Sequence, residues 1–322
     1  MRDKPMVVII STSVDTATDA VIRELDGAGI DHFRFNTEEY PYKGRLTNRI
    51  NDEEQRVRLG PGGPLNHATS IWFRRLRTPH PPEEVASGIH EYCINEARAA
   101  LVGSLLGSDG RVMSNPHAIW RAEHKCEQLI VAKKIGFTIP PTTITNDPEE
   151  VRQAFARSNG RLVVKPVRRG YVCLGEGDER AVFTSRVREE DLERVDSAQL
   201  APAIYQNLVE KACDVRVTYV DGNLFTAEID SQSDPEALID WRRTRDPNLA
   251  HRVATLPESV SRMIIELMAR LDLRFGAIDL IKTPESNYKF LEVNPNGQWL
   301  WLDDQLGFGI SRKIADWLAG SS

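Results

Sequence analysis

Cysteine is scarce in this chain of 322 residues: Cys93, Cys126, Cys173 and Cys213 are scattered, and no C-x-x-C pair occurs. That excludes a disulfide framework or a cysteine zinc site as the organising device and leads us to expect a reducing, cytoplasmic setting. Long apolar runs are also missing. The first apolar run, Met6 to Ile10, is too short for a membrane span or a secretory core and reads as a buried strand. No block of basic residues stands out, and 41 Lys and Arg against 47 Asp and Glu leave a net charge of −6, so nucleic acid is not an expected partner. The fingerprint G-x-G-x-x-G is absent, which removes the usual dinucleotide signal. No repeat or low-complexity tract points to a solenoid or a disordered tail.

What is present is ample core material. An apolar content of 41% over this length is enough for two or three packed units. Residues 6–12 read as a strand, "TATDAVIRELDGAG" as a helix ending in glycine, and "IDHFRFN" as a second strand, which together make a βαβ opening. Residues 40–70 suggest a hairpin and loops. "TSIWFRRLRTP" reads as a strand, and "PPEEVASGIHEYCINEARAALVGSLLG" as a long helix with its early acidic residues on the positive end of the dipole. A single helix is expected from about Pro116, with Ile119, Ala122, Cys126, Leu129 and Ile130 on one stripe. Proline-rich "TIPPTTITNDP" marks a unit boundary, and Asp221-Gly222 marks a hairpin turn. The fold class is α/β (α+β).

The C-terminal third carries the chemistry. "RFGAIDLIKT" and "NYKFLEVNPNG" are β-prone, with "PESN" as the turn between them. Centring that turn between Glu285 and Ser286 places Asp279 opposite Glu292 and Ala277 opposite Asn294. Asp279, Glu292 and Asn294 then share one face as oxygen donors. Hard donors of this kind suit Mg²⁺ shared with phosphates, and no twelve-residue calcium loop is present. The other reading is a solvated surface hairpin, against which the apolar neighbours Leu291 and Val293 weigh. Lys165 ends the apolar run "LVVKPV", where an ammonium needs an anion. Lys125 sits on a helix, and Arg216 alternates with valines on a strand. A lone helical lysine such as Lys125 is usually solvated, and Arg216 on a sheet's solvent face would look the same.

The order of Lys125, Lys165, "YQNLVEKACDVRV", Asp279 and "LEVNPNG" resembles the ATP-grasp superfamily. "FRFNTEEYP", "IWFRR", "HKCEQLIVAKKIGFTIPPTTITNDP" and "FLEVNPNGQWLWLDDQLGFGISRKIADWL" look more closely like the maturases of ribosomally made peptides, the microviridin-type or graspetide ligases. The likeness implies an ATP-grasp fold with an N-terminal βαβ pre-ATP-grasp domain over 1–114, a central unit over 115–200 and a metal-bearing unit over 201–322. It implies ATP held by Lys125 and Lys165, adenine met by backbone groups of Gln206, Asn207, Leu208 and Val209, and ribose met by Asp214. Arg216 would face the γ-phosphate and acyl phosphate, with Asp279, Glu292 and Asn294 on Mg²⁺.

By the same likeness, a carboxylate of a precursor peptide becomes an acyl phosphate, and a Ser, Thr or Lys side chain of that peptide closes an ester or amide ring. The expected partners are a leader-bearing precursor with an acidic and Ser/Thr/Lys core, and a second copy of the chain in a homodimer; no membrane is expected. In "DWRRTRDPNLAHRV", Arg242, Arg243 and Arg245 are candidates for acidic substrate side chains, with Arg242 first, and His251 for assisting deprotonation of a hydroxyl. Each arginine also reads as a solvated loop charge. Arg74 and Arg75 resemble a family feature or form a structural ion pair. The loop "PVRRGYVCLGEGDER" reads as a flexible lid, and Trp299 and Trp301 as packing on the C-terminal helix. Two rivals remain: a ligase joining an amino acid to a separate carboxylate, and a nucleotide-binding protein without catalysis.

Overall fold

The computed structural model describes residues 6–60, 65, 68–79, 82, 85–168, 170–173, 179–246 and 249–320. The first unit runs through β1 (Met6–Ser11), α1 (Thr16–Gly27), β2 (Asp31–Asn36), the hairpin β3 (Leu46–Ile50) and β4 (Gln55–Leu59), β5 (Ala68–Phe73), α2 (Ser87–Leu106) and β6 (Arg111–Met113). Its sheet is parallel, in the order β2-β1-β5-β6. β1 is apolar along its length because both faces are covered, as parallel sheets require. Val7 and Ile9 pack towards α1, and Val8 and Ile10 towards Leu101 and Leu105 of α2. The first turn of α2 carries no acidic residue. Glu83 and Glu84, expected to serve its dipole, lie outside the described residues.

Instead of one helix from Pro116 there are two, α3 (Pro116–Ala122) and α4 (Lys125–Ile135). Asn115 caps α3 and Gly136 ends α4 with a left-handed φ of 113°. The break turns the predicted stripe. Ile119, Ala122 and Leu129 are buried, but Cys126 and Ile130 face solvent.

The central unit comprises β7 (Thr142–Thr145), α5 (Pro148–Arg157), β8 (Leu162–Pro166), the small hairpin β9 (Tyr171–Cys173) and β10 (Glu179–Ala181), β11 (Ser185–Val187), a 3-10 stretch Glu189–Leu200 and β12 (Ala203–Asn207). Its sheet order is β11-β8-β12-β7, with antiparallel neighbours. β12 therefore lies past the 200/201 division expected from sequence, yet inside this sheet. Of the expected lid, residues 169 and 174–178 lie outside the described residues.

The third unit holds β13 (Cys213–Val220), β14 (Asn223–Ile229), a 3-10 turn Trp241–Arg243, β15 (His251–Val253), α6 (Glu258–Arg270), β16 (Phe275–Lys282) and β17 (Tyr288–Asn294). The antiparallel order is β15-β14-β13-β16-β17. Asp221 and Gly222 take φ of 41° and 92°, so the Asp-Gly turn has the left-handed backbone a tight hairpin needs. Every residue of the central strand β13 is buried. Val215 and Val217 meet α6 in the core, and Asp214 and Arg216 alternate to the other face. The chain then returns through α7 (Leu300–Leu306) and α8 (Ile310–Ala319), and α8 packs on α1, β1 and β5 of the first unit. Trp299, Trp317, Trp72 and Phe275 share that core.

Candidate active site

The hairpin β16–β17 builds the site, and a bulge sets its register. The turn is tied by Thr283 N–H to the Asn287 carbonyl at 2.8 Å, so its centre is Glu285, half a residue before the expected one. Leu280 faces Phe290, and Asp279 faces Glu292, leaving Leu291 as the extra residue. The bulge supplies the missing step, and Ala277 faces Asn294 as the uninterrupted count also has it. Asp279, Glu292 and Asn294 line one cavity of about 670 Å³ together with Lys125, Lys165, Asp214 and Arg242.

Cations converge on the two carboxylates. Lys125, the first residue of α4, places Nζ 3.0 Å from Glu292 Oε2 and also donates to the Pro166 carbonyl at 3.3 Å. Lys165 on β8 is buried at the same cavity. Burial alone would raise the Glu292 carboxyl, but Lys125 and Lys165 outweigh it and hold it below its ordinary value. Burial also draws Lys165 down, against the pull of Glu292. Arg216 donates through Nη1 to both oxygens of Asp279, at 2.8 and 3.0 Å, and through Nη2 to the Gln298 carbonyl at 3.2 Å.

Three residues absent from the sequence-based set hold this arrangement. Gln128 is 1% exposed and pairs with the free edge of β17 at Val293, between the two candidate ligands. Its Nε2 donates to the Val293 carbonyl at 2.7 Å, and its Oε1 accepts the Val293 N–H at 2.8 Å. Position i+3 from Lys125 on one helix face was its only sequence signal. Gly297 lies so close to β16 that a Cβ there would sit 2.3 Å from Ala277 Cβ and 2.9 Å from Arg216 Nη2. Asp240, 5% exposed, accepts Arg242 Nε at 2.8 Å and Nη2 at 2.6 Å. That paired bond raises the Arg242 pKa and fixes its guanidinium at the cavity wall.

The remaining expected residues are placed differently. Asp214 lines the cavity but is held by Lys211 Nζ at 2.6 Å, and burial pushes its carboxyl up against that pull. Gln206, Asn207, Leu208 and Val209 are not among the described residues lining the cavity. Gln206 Nε2 donates to Thr142 Oγ1, and the Asn207 and Leu208 amides donate to the Pro141 and Arg161 carbonyls at 3.0 and 2.7 Å. His251 also lies off the lining; its ring packs 4.9 Å from that of Trp301, and burial lowers its pKa. Trp299 does pack on α8, donating to Ser311 Oγ at 2.9 Å. Trp301 instead sits between Trp241 and His251.

The donor chemistry fits a hard divalent cation. Two carboxylates face each other across adjacent strands, each neutralised by a basic side chain, and the Asn294 amide oxygen accepts the Asn296 N–H at 3.1 Å with a second lone pair remaining. Among the described residues no three His, Cys, Asp or Glu side chains gather to hold a metal, so a cation here would complete its shell with oxygens from a ligand.

Residues 6–119 match the family model of the MvdD pre-ATP grasp domain. Over the whole chain, the structure is similar to a Chryseobacterium gregarium RiPP-associated ATP-grasp ligase solved with ADP and a leader and core peptide. The TM-score is 0.90 at 32% identity, covering 99% of this chain and 97% of that one. It is similar to the macrocyclase MdnC of Microcystis aeruginosa MRC bound to precursor peptide MdnA, with a TM-score of 0.87, 30% identity, and 98% and 100% of the two chains covered. It also resembles the macrocyclase MdnB of the same organism, with a TM-score of 0.78, 30% identity, and 98% and 99% covered. No curated protein matches this chain by sequence. With this identity sustained over nearly the full length of each, the chain belongs to the ATP-grasp ligases of ribosomally made peptides, the graspetide-type ligase family.

Proposed function

We propose that this chain is an ATP- and Mg²⁺-dependent, ADP-forming ligase that activates Asp or Glu side chains of a ribosomally made precursor peptide and closes ester or amide crosslinks within it. The observation that carries this reading is the meeting of Asp279, Glu292 and Asn294 with Lys125, Lys165 and Arg242 in one cavity, where Arg216 fixes Asp279 from beneath. Mg²⁺ would neutralise phosphate oxygens while holding them in line. Lys125 and Lys165 bind phosphates, each released in part from Glu292. Arg216, which is not among the described residues lining the cavity, keeps Asp279 oriented and acts on the transferring group through that carboxylate. Asp214 meets the ribose. Adenine is met by groups of the 206–209 segment other than the Asn207 and Leu208 amides, which β12 and its neighbours already use.

A substrate carboxylate oxygen attacks the γ-phosphorus, the bond to ADP breaks, and ADP leaves. A Ser or Thr hydroxyl, or a Lys amine, of the same peptide then attacks the acyl carbon, phosphate leaves, and the nucleophile's proton passes to solvent or phosphate. Arg242, clamped on its Nε and Nη2 side by Asp240, offers its Nη1 corner to an acidic substrate side chain. His251, packed on Trp301 away from the cavity lining, is assigned no step.

In this reading the peptide runs along a neighbouring groove. A second groove of about 1390 Å³ shares Thr184, Ile239 and Arg242 with the first cavity and adds Arg186, Arg188, Arg194, Arg243 and Arg245. Glu190, Asp191, Glu193 and Glu236 line it as well, and Arg188 and Arg245 pair with Glu190 and Glu236, so a modest positive excess, centred on Arg186, Arg194, Arg242 and Arg243, is what would meet an acidic chain. Leader binding, a homodimer and a cytoplasmic enzyme belong to the same proposal. No helix among the described residues is long and apolar enough to cross a membrane. The full-length likeness to macrocyclases favours ring closure over joining two molecules or binding nucleotide without catalysis. Incubation with the cognate precursor, ATP and Mg²⁺ will release ADP and lower the peptide mass by one water per ring. ADP release with no such loss of mass contradicts ring closure.

A further inference from the structure

Arg74 follows β5 in the first unit, yet its side chain ends in the third. It is 0% exposed, and its face lies over the Trp299 ring at 4.7 Å. Nη1 donates to the Asn296 carbonyl at 2.6 Å, and Nη2 to the Gly297 carbonyl at 3.4 Å and to Gln298 Oε1 at 3.3 Å. These three consecutive residues form the turn that follows Asn294. Behind the guanidinium stands Asp15, with Oδ2 3.4 Å from Arg74 Nε and 3.2 Å from Arg75 Nε. Asp15 is itself fixed by the hydroxyls of Ser11 and Thr18, each at 3.0 Å.

A buried ion pair is a costly way to fill space between Trp299 and Phe275, where an apolar side chain of similar volume is commonly as stable. What the guanidinium supplies that an apolar group cannot is direction: three hydrogen bonds to one turn, from a rigid fork. The opposite side of that turn is held by Arg216, which donates to the Gln298 carbonyl. The turn is thus gripped from two units.

We propose that Arg74 is a positioning residue for the Asn294 end of the cation-binding set, so that the N-terminal unit takes part in assembling the nucleotide site. This rests on the reading that Asp279, Glu292 and Asn294 hold Mg²⁺ against phosphates. The test is calorimetric binding of ADP to the full chain, with Mg²⁺ and with EDTA, for wild type, Arg74→Lys and Gln298→Ala. Gln298 is exposed, so its variant folds whatever becomes of the other. Mg²⁺ tightens ADP binding in wild type. In Arg74→Lys the affinity in EDTA is retained while the tightening by Mg²⁺ falls about tenfold or more, the usual effect of removing an outer partner of a metal site. Gln298→Ala loses a smaller part of the same tightening.

Wild type that binds ADP equally well in EDTA overturns the underlying cation reading. Wild type that responds to Mg²⁺ while both variants respond in full overturns the role of Arg74 alone. Equal losses with and without Mg²⁺ make Arg74 a fold support and also overturn it. If circular dichroism shows Arg74→Lys unfolded, the response of Gln298→Ala decides.

Discussion

Arg216 and Asp279 stand directly opposite each other on β13 and β16, and the guanidinium reaches both carboxylate oxygens at 2.8 and 3.0 Å. The Arg216 side chain is 9% exposed, whereas that of Asp279 is 21% exposed and opens on the cavity, so Arg216 depends on Asp279 more than the reverse. Arg216→Ala leaves Asp279 without its counter-charge but in reach of water from the cavity, and is expected to cost about 1.5–3 kcal/mol of stability, the loss of hydrogen bonds to a charged group. Removing a preorganised cation lowers turnover by a further factor on the order of 10²–10³. Urea denaturation and single-turnover ADP release measure the two separately.

The Gln128 amide closes the edge of β17 as another strand would. Gln128→Glu exchanges two donor hydrogens for a buried carboxylate and sets it against the Val293 carbonyl. We expect a loss of about 1–3 kcal/mol from the unsatisfied groups. A thermal melt checks it, and Gln128→Glu that melts with wild type would show that the clamp is idle.

Gly297 touches Ala277 with no room for a side chain. Gly297→Ala displaces the turn after Asn294 and is expected to weaken both stability and Mg²⁺-dependent ADP binding. Ala277→Gly added to it removes the 2.3 Å contact but not the 2.9 Å one with Arg216, so rescue is partial. Melting temperatures of the two single variants and the double variant test this order.

Acid stability should report on Asp15. Burial would raise its carboxyl, but Arg74 and Arg75 outweigh it and hold it below the ordinary 3.8. Its contribution is therefore fully present above that value and is lost as pH falls through the lower, folded pKa. Asp15→Asn removes this term. Denaturation midpoints from pH 7 downwards will show a shallower acid decline for the variant, and an unchanged slope would contradict the linkage.

The sequence disclosed what depends on short-range pattern. β1, α1 and the Asp221-Gly222 turn follow from local periodicity and turn chemistry, and so did the placing of Glu292 and Asn294 on one face. The pairing of Asp279 with Glu292 was reached from a turn centred half a residue late, and the Leu291 bulge, which no residue preference announces, made the count come out. The break between α3 and α4 was hidden because apolar spacing continues across Glu123 and His124. Arg74 reaches residues 296–298, more than 200 positions away, through topology alone. Whether Asn207 and Leu208 amides are free to meet a ligand likewise depends on which strands flank β12, and pairing between distant strands is not written in either of them.

The central claim is that Asp279, Glu292 and Asn294 hold a divalent cation against the nucleotide phosphates, and electron paramagnetic resonance of Mn²⁺, standing in for Mg²⁺, tests it most directly. Wild type with ADP should immobilise one Mn²⁺ per chain, and Glu292→Gln, folded by circular dichroism, should leave it free. Equal immobilisation by both proteins would contradict the account.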